Sequence, residues 1–63
     1  MNFAHNLKTA RKNLDISQKE LAKRLNIGQS SVAMWEVGSR APKLNQLEDI
    51  AKALKTTPAE LIK

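Results

Sequence analysis

Apolar residues return at every third or fourth position along this chain, and no stretch alternates with period two. Phe3, Leu7, Ala10 and Leu14 make a first stripe, and Leu21, Ala22 and Leu25 a second. Val32 and Trp35 follow, then Leu44, Leu47, Ile50, Ala51 and Leu54, and a last short turn carries Leu61 and Ile62. β-branched residues are scarce. The spacing predicts an all-α protein: a compact five-helix bundle with tight connections, forming a single domain over residues 1–63 with no linker, repeat or low-complexity stretch.

The helix ends have local signals. Ser17 and Glu20 stand at capping-box spacing, with Ile16 and Leu21 at the two staple positions around them. Thr57-Pro58-Ala59-Glu60 repeats the device, with proline at the first helical position, where its missing N–H costs nothing. Gly38 suits a left-handed helix C-terminus, and Pro42 delays re-entry into helix. Between Asn13 and Asp15 the first helix must end without glycine, so Asn or Asp is expected there in the left-handed conformation.

The stretch from Gln18 to Gly38 carries the most information. A two-turn helix over 18–25, a turn at Asn26-Ile27-Gly28 and a helix over 29–37 have the spacing of a helix-turn-helix, about 17–37 in all. Ala22 is small where the two helices must cross closely. Asn26 takes the left-handed turn position, and Gly28 is an acceptable N-cap. With Val32 and Trp35 assigned to the core, the second helix presents Gln29, Ser30, Ala33 and Met34 on one side. These are short or uncharged, an odd choice for a merely solvated face and a suitable one for a major groove. Gln can bond adenine N6 and N7, Ser can donate to guanine N7, and Ala or Met can touch a thymine methyl. Met34 serves equally well as a gap-filler at the edge of the core.

Charge changes the picture next. Eleven Lys and Arg against six Asp and Glu give +5 in 63 residues, which suggests a polyanionic partner, nucleic acid first, but fits a merely solvated surface equally well, so the order of residues must decide. There is no cysteine, so disulfides and thiolate metal sites are excluded, and His5 stands alone; no metal and no cofactor is expected. No phosphate loop and no nucleophile with a base appears, so an enzyme is not expected. The longest apolar run, Val32 to Trp35, is far short of a membrane span, and no apolar segment follows Met1; the expectation is a cytoplasmic protein without membrane contact. Lys19, Lys23 and Arg24 read as a solvated helix face.

Leu14-Asp15-Ile16-Ser17-Gln18-x-x-Leu21-Ala22, then Gly28-Gln29-Ser30-x-Val32, then Trp35-Glu36-x-Gly38-x-Arg40-x-Pro42 resembles the lambda repressor and Cro family, also called Cro/C1-type. The resemblance runs from about Leu7 to Leu61. It implies base contacts from Gln29, Ser30 and Met34, with Ala33 on the same face, and a phosphate contact from Gln18 that also steadies Gln29. It implies an ion pair between Arg11 and Glu36, with Arg11 also facing a phosphate, and backbone contacts from Arg40 and Lys43 in the following loop. Asp15 and Asn26 depart from the family's usual glycines, and Val37 stands where some members place a phosphate-contacting Asn.

The function expected on this basis is sequence-specific binding of double-stranded DNA by a repressor, as a whole protein or as an N-terminal domain. Antitoxins, restriction-modification control proteins and plasmid regulators use the same fold, and an adaptor that binds protein without reading DNA is the alternative of a different class. A two-fold operator requires two copies about one helical turn apart. The surface expected to pair them is Leu54, Thr57, Leu61 and Ile62, as a homodimer weak in solution and stronger on DNA.

Overall fold

A computed structural model describes residues 2–63. Five helices run in the order α1 (Phe3–Asn13), α2 (Gln18–Leu25), α3 (Gln29–Val37), α4 (Leu44–Ala53) and α5 (Pro58–Ile62), and there are no strands among the described residues. The all-α bundle and the helix-turn-helix limits are as the periodicity predicts.

α3 lies against both α1 and α2, α4 packs on α2, and α5 closes the bundle between α1 and α4. The core gathers one or more residues from each helix: Phe3 and Leu7, Leu21 and Ala22, Val32 and Trp35, Ile50 and Ala51, and Leu61, with Leu54 from the end of α4. Burial of these side chains, each worth roughly 1.5–3 kcal/mol for the larger aliphatics, is the main force holding so small a domain together. Asn6 adds a polar tie. Its side-chain amide donates to the carbonyls of Leu61 (3.0 Å) and Lys63 (3.2 Å), satisfying acceptors that the C-terminus of α5 leaves open.

The first four helices end in one way. Each is followed by a left-handed residue: Asp15 (φ 58°), Asn26 (φ 57°), Gly38 (φ 82°) and Lys55 (φ 56°). In each case the next amide reaches back five residues, as from Ile27 to Ala22 (3.0 Å) and from Thr56 to Ala51 (2.9 Å). This is the Schellman arrangement, which satisfies the last carbonyls and turns the chain sharply. Asp15, Asn26 and Gly38 carry out the expected roles. Lys55 was not foreseen, because lysine has no intrinsic preference for the left-handed region.

Only half of each expected capping box forms. The Ser17 hydroxyl accepts from the Glu20 amide (3.0 Å) and the Thr57 hydroxyl from the Glu60 amide (3.2 Å). Neither carboxylate returns to its cap. Glu20 pairs instead with Arg24 (3.1 Å) and Glu60 with Lys63 (3.0 Å), each at ordinary helical spacing. α4 starts with the reverse half, its Gln46 side chain accepting from the Lys43 amide (2.8 Å).

Burial corrects the expected pairing surface. Leu54 and Leu61 are only 3% and 1% exposed, so both belong to the core and offer nothing to a second copy. Thr57 and Ile62 are exposed.

Candidate nucleic-acid interface

The short turn at Asn26–Gly28 sets the entry of α3. The left-handed Asn26 reverses the chain, and Ile27, partly buried, pins the turn to the core. Val32 and Trp35 then anchor the inner face of α3. Gln29 and Ser30 are exposed on the outer face, and Ala33 and Met34 are half-buried beside them. The structure therefore brings all four residues of the predicted reading face to one side of one helix. Met34 is neither fully in the core nor fully free.

A charged cluster fixes that helix from behind. The Arg11 guanidinium, on α1, donates from Nε (2.6 Å) and Nη2 (3.1 Å) to the two carboxylate oxygens of Glu36 on α3. Its Nη1 donates to the Ile16 carbonyl (2.7 Å), which binds the turn after α1 to the same site. The Gln18 amide, in the first turn of α2, donates to the same Glu36 carboxylate (3.1 Å). Three helices thus meet at one carboxylate. The side chains of Arg11 and Glu36 are 10% and 2% exposed, so the pair is largely withdrawn from water.

The electrostatics agree with that geometry. Burial pushes the Glu36 carboxyl up, but hydrogen bonds from Arg11 and Gln18, with the charges of Arg11 and Lys8, outweigh it and hold the group below its ordinary value. The hydrogen bond to Glu36 raises Arg11, burial opposes it, and the carboxylate charge adds to the rise.

The expected ion pair forms, and it engages Gln18 as well. Arg11 is buried, and its three guanidinium nitrogens each donate one hydrogen bond, to Glu36 or Ile16, which uses three of its five N–H groups. Gln18 donates one amide N–H to Glu36, so it positions α3 through the carboxylate. That role was invisible in the sequence because it depends on how three helices converge.

The loop after α3 carries Arg40 and Lys43, both exposed. It is tied to the helix end: the Ser39 amide (3.0 Å) and hydroxyl (3.3 Å) and the Arg40 amide (3.4 Å) all donate to the Met34 carbonyl. The backbone of Arg40 is therefore held at the C-terminal end of α3, and Lys43 follows as the N-cap residue of α4. Among the described residues no helix is long and apolar enough to cross a membrane, and no group of three metal-ligating side chains occurs.

Residues 7–61 match the family model described as helix-turn-helix. The chain is 30% identical over 60 residues to the cryptic phage CTXphi transcriptional repressor RstR of Vibrio cholerae, covering 95% of this chain and 54% of RstR. It thus spans about half the length of that relative. The DNA-binding domain of the P22 c2 repressor superposes with a TM-score of 0.94 at 27% identity, over 100% of this chain and 83% of that one. The restriction-modification controller protein C.AhdI of Aeromonas hydrophila gives 0.89 at 32% identity, over 95% and 91% of the two chains. The matched stretch, the α2–turn–α3 geometry and the whole-chain superposition agree, and the chain belongs to the helix-turn-helix family, with the fold of the lambda repressor-like DNA-binding domains.

Proposed function

We propose that this chain binds double-stranded DNA of specific sequence by laying α3 in the major groove, as the DNA-reading part of a transcriptional repressor. The observation that carries this reading is a single face. An outer, uncharged side of α3 is locked in place by Arg11, Glu36 and Gln18 and followed by a loop that carries the exposed Arg40 and Lys43. Gln29 reads a base edge, suited to adenine N6 and N7, and Ser30 reads a second by its hydroxyl. Ala33 and Met34 make apolar contact. Arg40 and Lys43 hold the phosphate backbone, and the free oxygen of Gln18 is available to a backbone-bound water or a neighbouring side chain. The protein acts by occupancy, without chemistry of its own, in the compartment that holds the DNA.

A two-fold site would be met by two copies paired through the exposed edge at Thr57 and Ile62, weakly when free and more firmly on DNA. A control protein of a restriction-modification system is the second reading, favoured by the similarity to C.AhdI along nearly all of both chains. Both readings require operator binding.

Selection of bound duplexes from random DNA tests the proposal. The expected result is a short, near-palindromic consensus, with affinity falling steeply as salt rises because each neutralised phosphate releases counterions. Failure to enrich any sequence, or no binding at low salt, would favour a protein-binding adaptor.

A further inference from the structure

Asn6, on α1, grips the end of α5. Its amide nitrogen donates to the carbonyls of Leu61 (3.0 Å) and Lys63 (3.2 Å), so it holds the backbone on both sides of Ile62. α5 is five residues long, a single turn that could not persist by itself. At its start the Thr57 hydroxyl accepts from the Glu60 amide, and Leu61 is 1% exposed and set in the core. Beyond Leu61, Asn6 ties the chain to the rest of the bundle, and Ile62 is 42% exposed. The edge around it is neutral. Residues 57–63 carry one acid, Glu60, and one base, Lys63, bonded to each other at 3.0 Å. In a chain of charge +5, this is an edge where two copies can approach without opposing net charge. The same helix also serves the reading face. Arg11, five positions after Asn6 and about 7.5 Å further along α1, holds Glu36 on α3. One helix thus carries the ties to both α3 and α5.

We infer that Asn6 is a positioning residue for pairing on DNA: by fixing the backbone around Ile62, it presents that side chain to a second copy of the chain at a set distance from α3. This rests on the reading that two copies pair through Thr57 and Ile62. A two-fold operator fixes the separation of its half-sites at about one helical turn. Each α3 can enter its own groove while the two edges meet only if the edge stands at one distance and angle from α3. A side chain on a frayed single turn does not meet that condition, because it must be ordered on contact, and the ordering weakens the pairing. Asn6 orders it beforehand. An amide suits the place. Its two N–H groups can serve two carbonyls that a helix C-terminus leaves open, and it brings no charge to a neutral edge.

The test compares a duplex carrying two selected half-sites with a duplex carrying one. Asn6→Ala removes both donors and places a strong helix former in α1, so the melting midpoint should change little, and binding is measured well below it. Affinity for the single half-site should match wild type. Cooperativity on the two-half-site duplex should fall on the order of fivefold, the low end of ordinary coupling between sites. Lengthening the spacer by a single base pair should penalise wild type more than Asn6→Ala, since a loosened edge tolerates a wrong separation. Ile62→Ala should lose the same cooperativity, and Asn6→Ala added to it should lose no more. Full cooperativity in Asn6→Ala, a further loss when it joins Ile62→Ala, an unchanged spacer penalty, or an equal loss on one and two half-sites each overturns the proposal while pairing through Ile62 stands. Full cooperativity in Ile62→Ala removes the pairing reading and this one with it.

Discussion

Arg11 and Glu36, 25 positions apart, meet through two hydrogen bonds of 2.6 and 3.1 Å that join the first helix to the third. Because Gln18 binds the same carboxylate, Glu36 fixes the angle of α3 against both α1 and α2. In a near-dry setting removal of one partner strands the other, at a cost of about 3–5 kcal/mol where burial is complete. Arg11→Met and Glu36→Gln should each destabilise by at least about 2 kcal/mol, and the double variant by clearly less than their sum. Denaturant titration of the four proteins measures the coupling. Because Arg11 is buried and three of its five N–H groups already serve Glu36 and Ile16, Arg11→Met should leave the salt dependence of DNA binding nearly unchanged once folding is restored by lower temperature.

Acid should weaken the fold through the same carboxylate. Glu36 is held below its ordinary value, so it releases its proton more readily folded than unfolded. Its contribution is complete at neutral pH and is lost as the pH falls through the usual carboxylate range towards the lower folded value. Thermal melting between pH 7 and pH 3 should show a falling midpoint, and Glu36→Gln should flatten that fall. Arg11, shifted upward, adds a loss only at extreme alkaline pH.

Asp15 and Lys55 hold positive φ without glycine. Replacing either by glycine relieves the Cβ contact of the left-handed conformation, offset in part by the greater freedom of glycine in the unfolded chain. Asp15→Gly and Lys55→Gly should each stabilise by up to about 1 kcal/mol and, being far apart in sequence and serving different helix ends, should add. Melting temperatures of the two single variants and the double variant decide this. DNA affinity should change little in Asp15→Gly.

Gln29 and the loop cations should separate in binding assays. Gln29→Ala should cost about 1–3 kcal/mol on the selected sequence and relax preference at one base pair, with little effect on random DNA. Arg40→Ala and Lys43→Ala should weaken binding to all sequences alike and each reduce the slope of affinity against salt by about 1. Titrations at several salt concentrations on specific and random duplexes distinguish the two patterns.

Leu61 and Ile62 are neighbours with opposite surroundings. Leu61→Ala should cost about 2–5 kcal/mol at any protein concentration, because it empties a filled core position. Ile62→Ala should hardly alter folding. Its effect should appear as weaker cooperative binding to a two-half-site duplex, with single-half-site binding retained.

Helix number, helix limits and the outward face of α3 could be read from residue order because they depend on contacts within three or four positions. Caps at Ser17 and Thr57, left-handed residues at Asp15, Asn26 and Gly38, and the stripe through Val32 and Trp35 are all of this kind. Even so, which partner a side chain chose within that range was open: Glu20 and Glu60 took a cation in place of the cap amide. The Arg11–Glu36 pair was foreseen only through family resemblance, since nothing local links positions 25 apart. Three-dimensional packing alone decided that Gln18 completes this site, that Arg11 is buried there, and that Leu54 and Leu61 face inward while Val37 does not. In α5, five residues long, two adjacent apolar side chains have no periodicity to tell core from surface. Their burial depends on where α1 and α4 already stand, a property of the assembled bundle and not of any single segment.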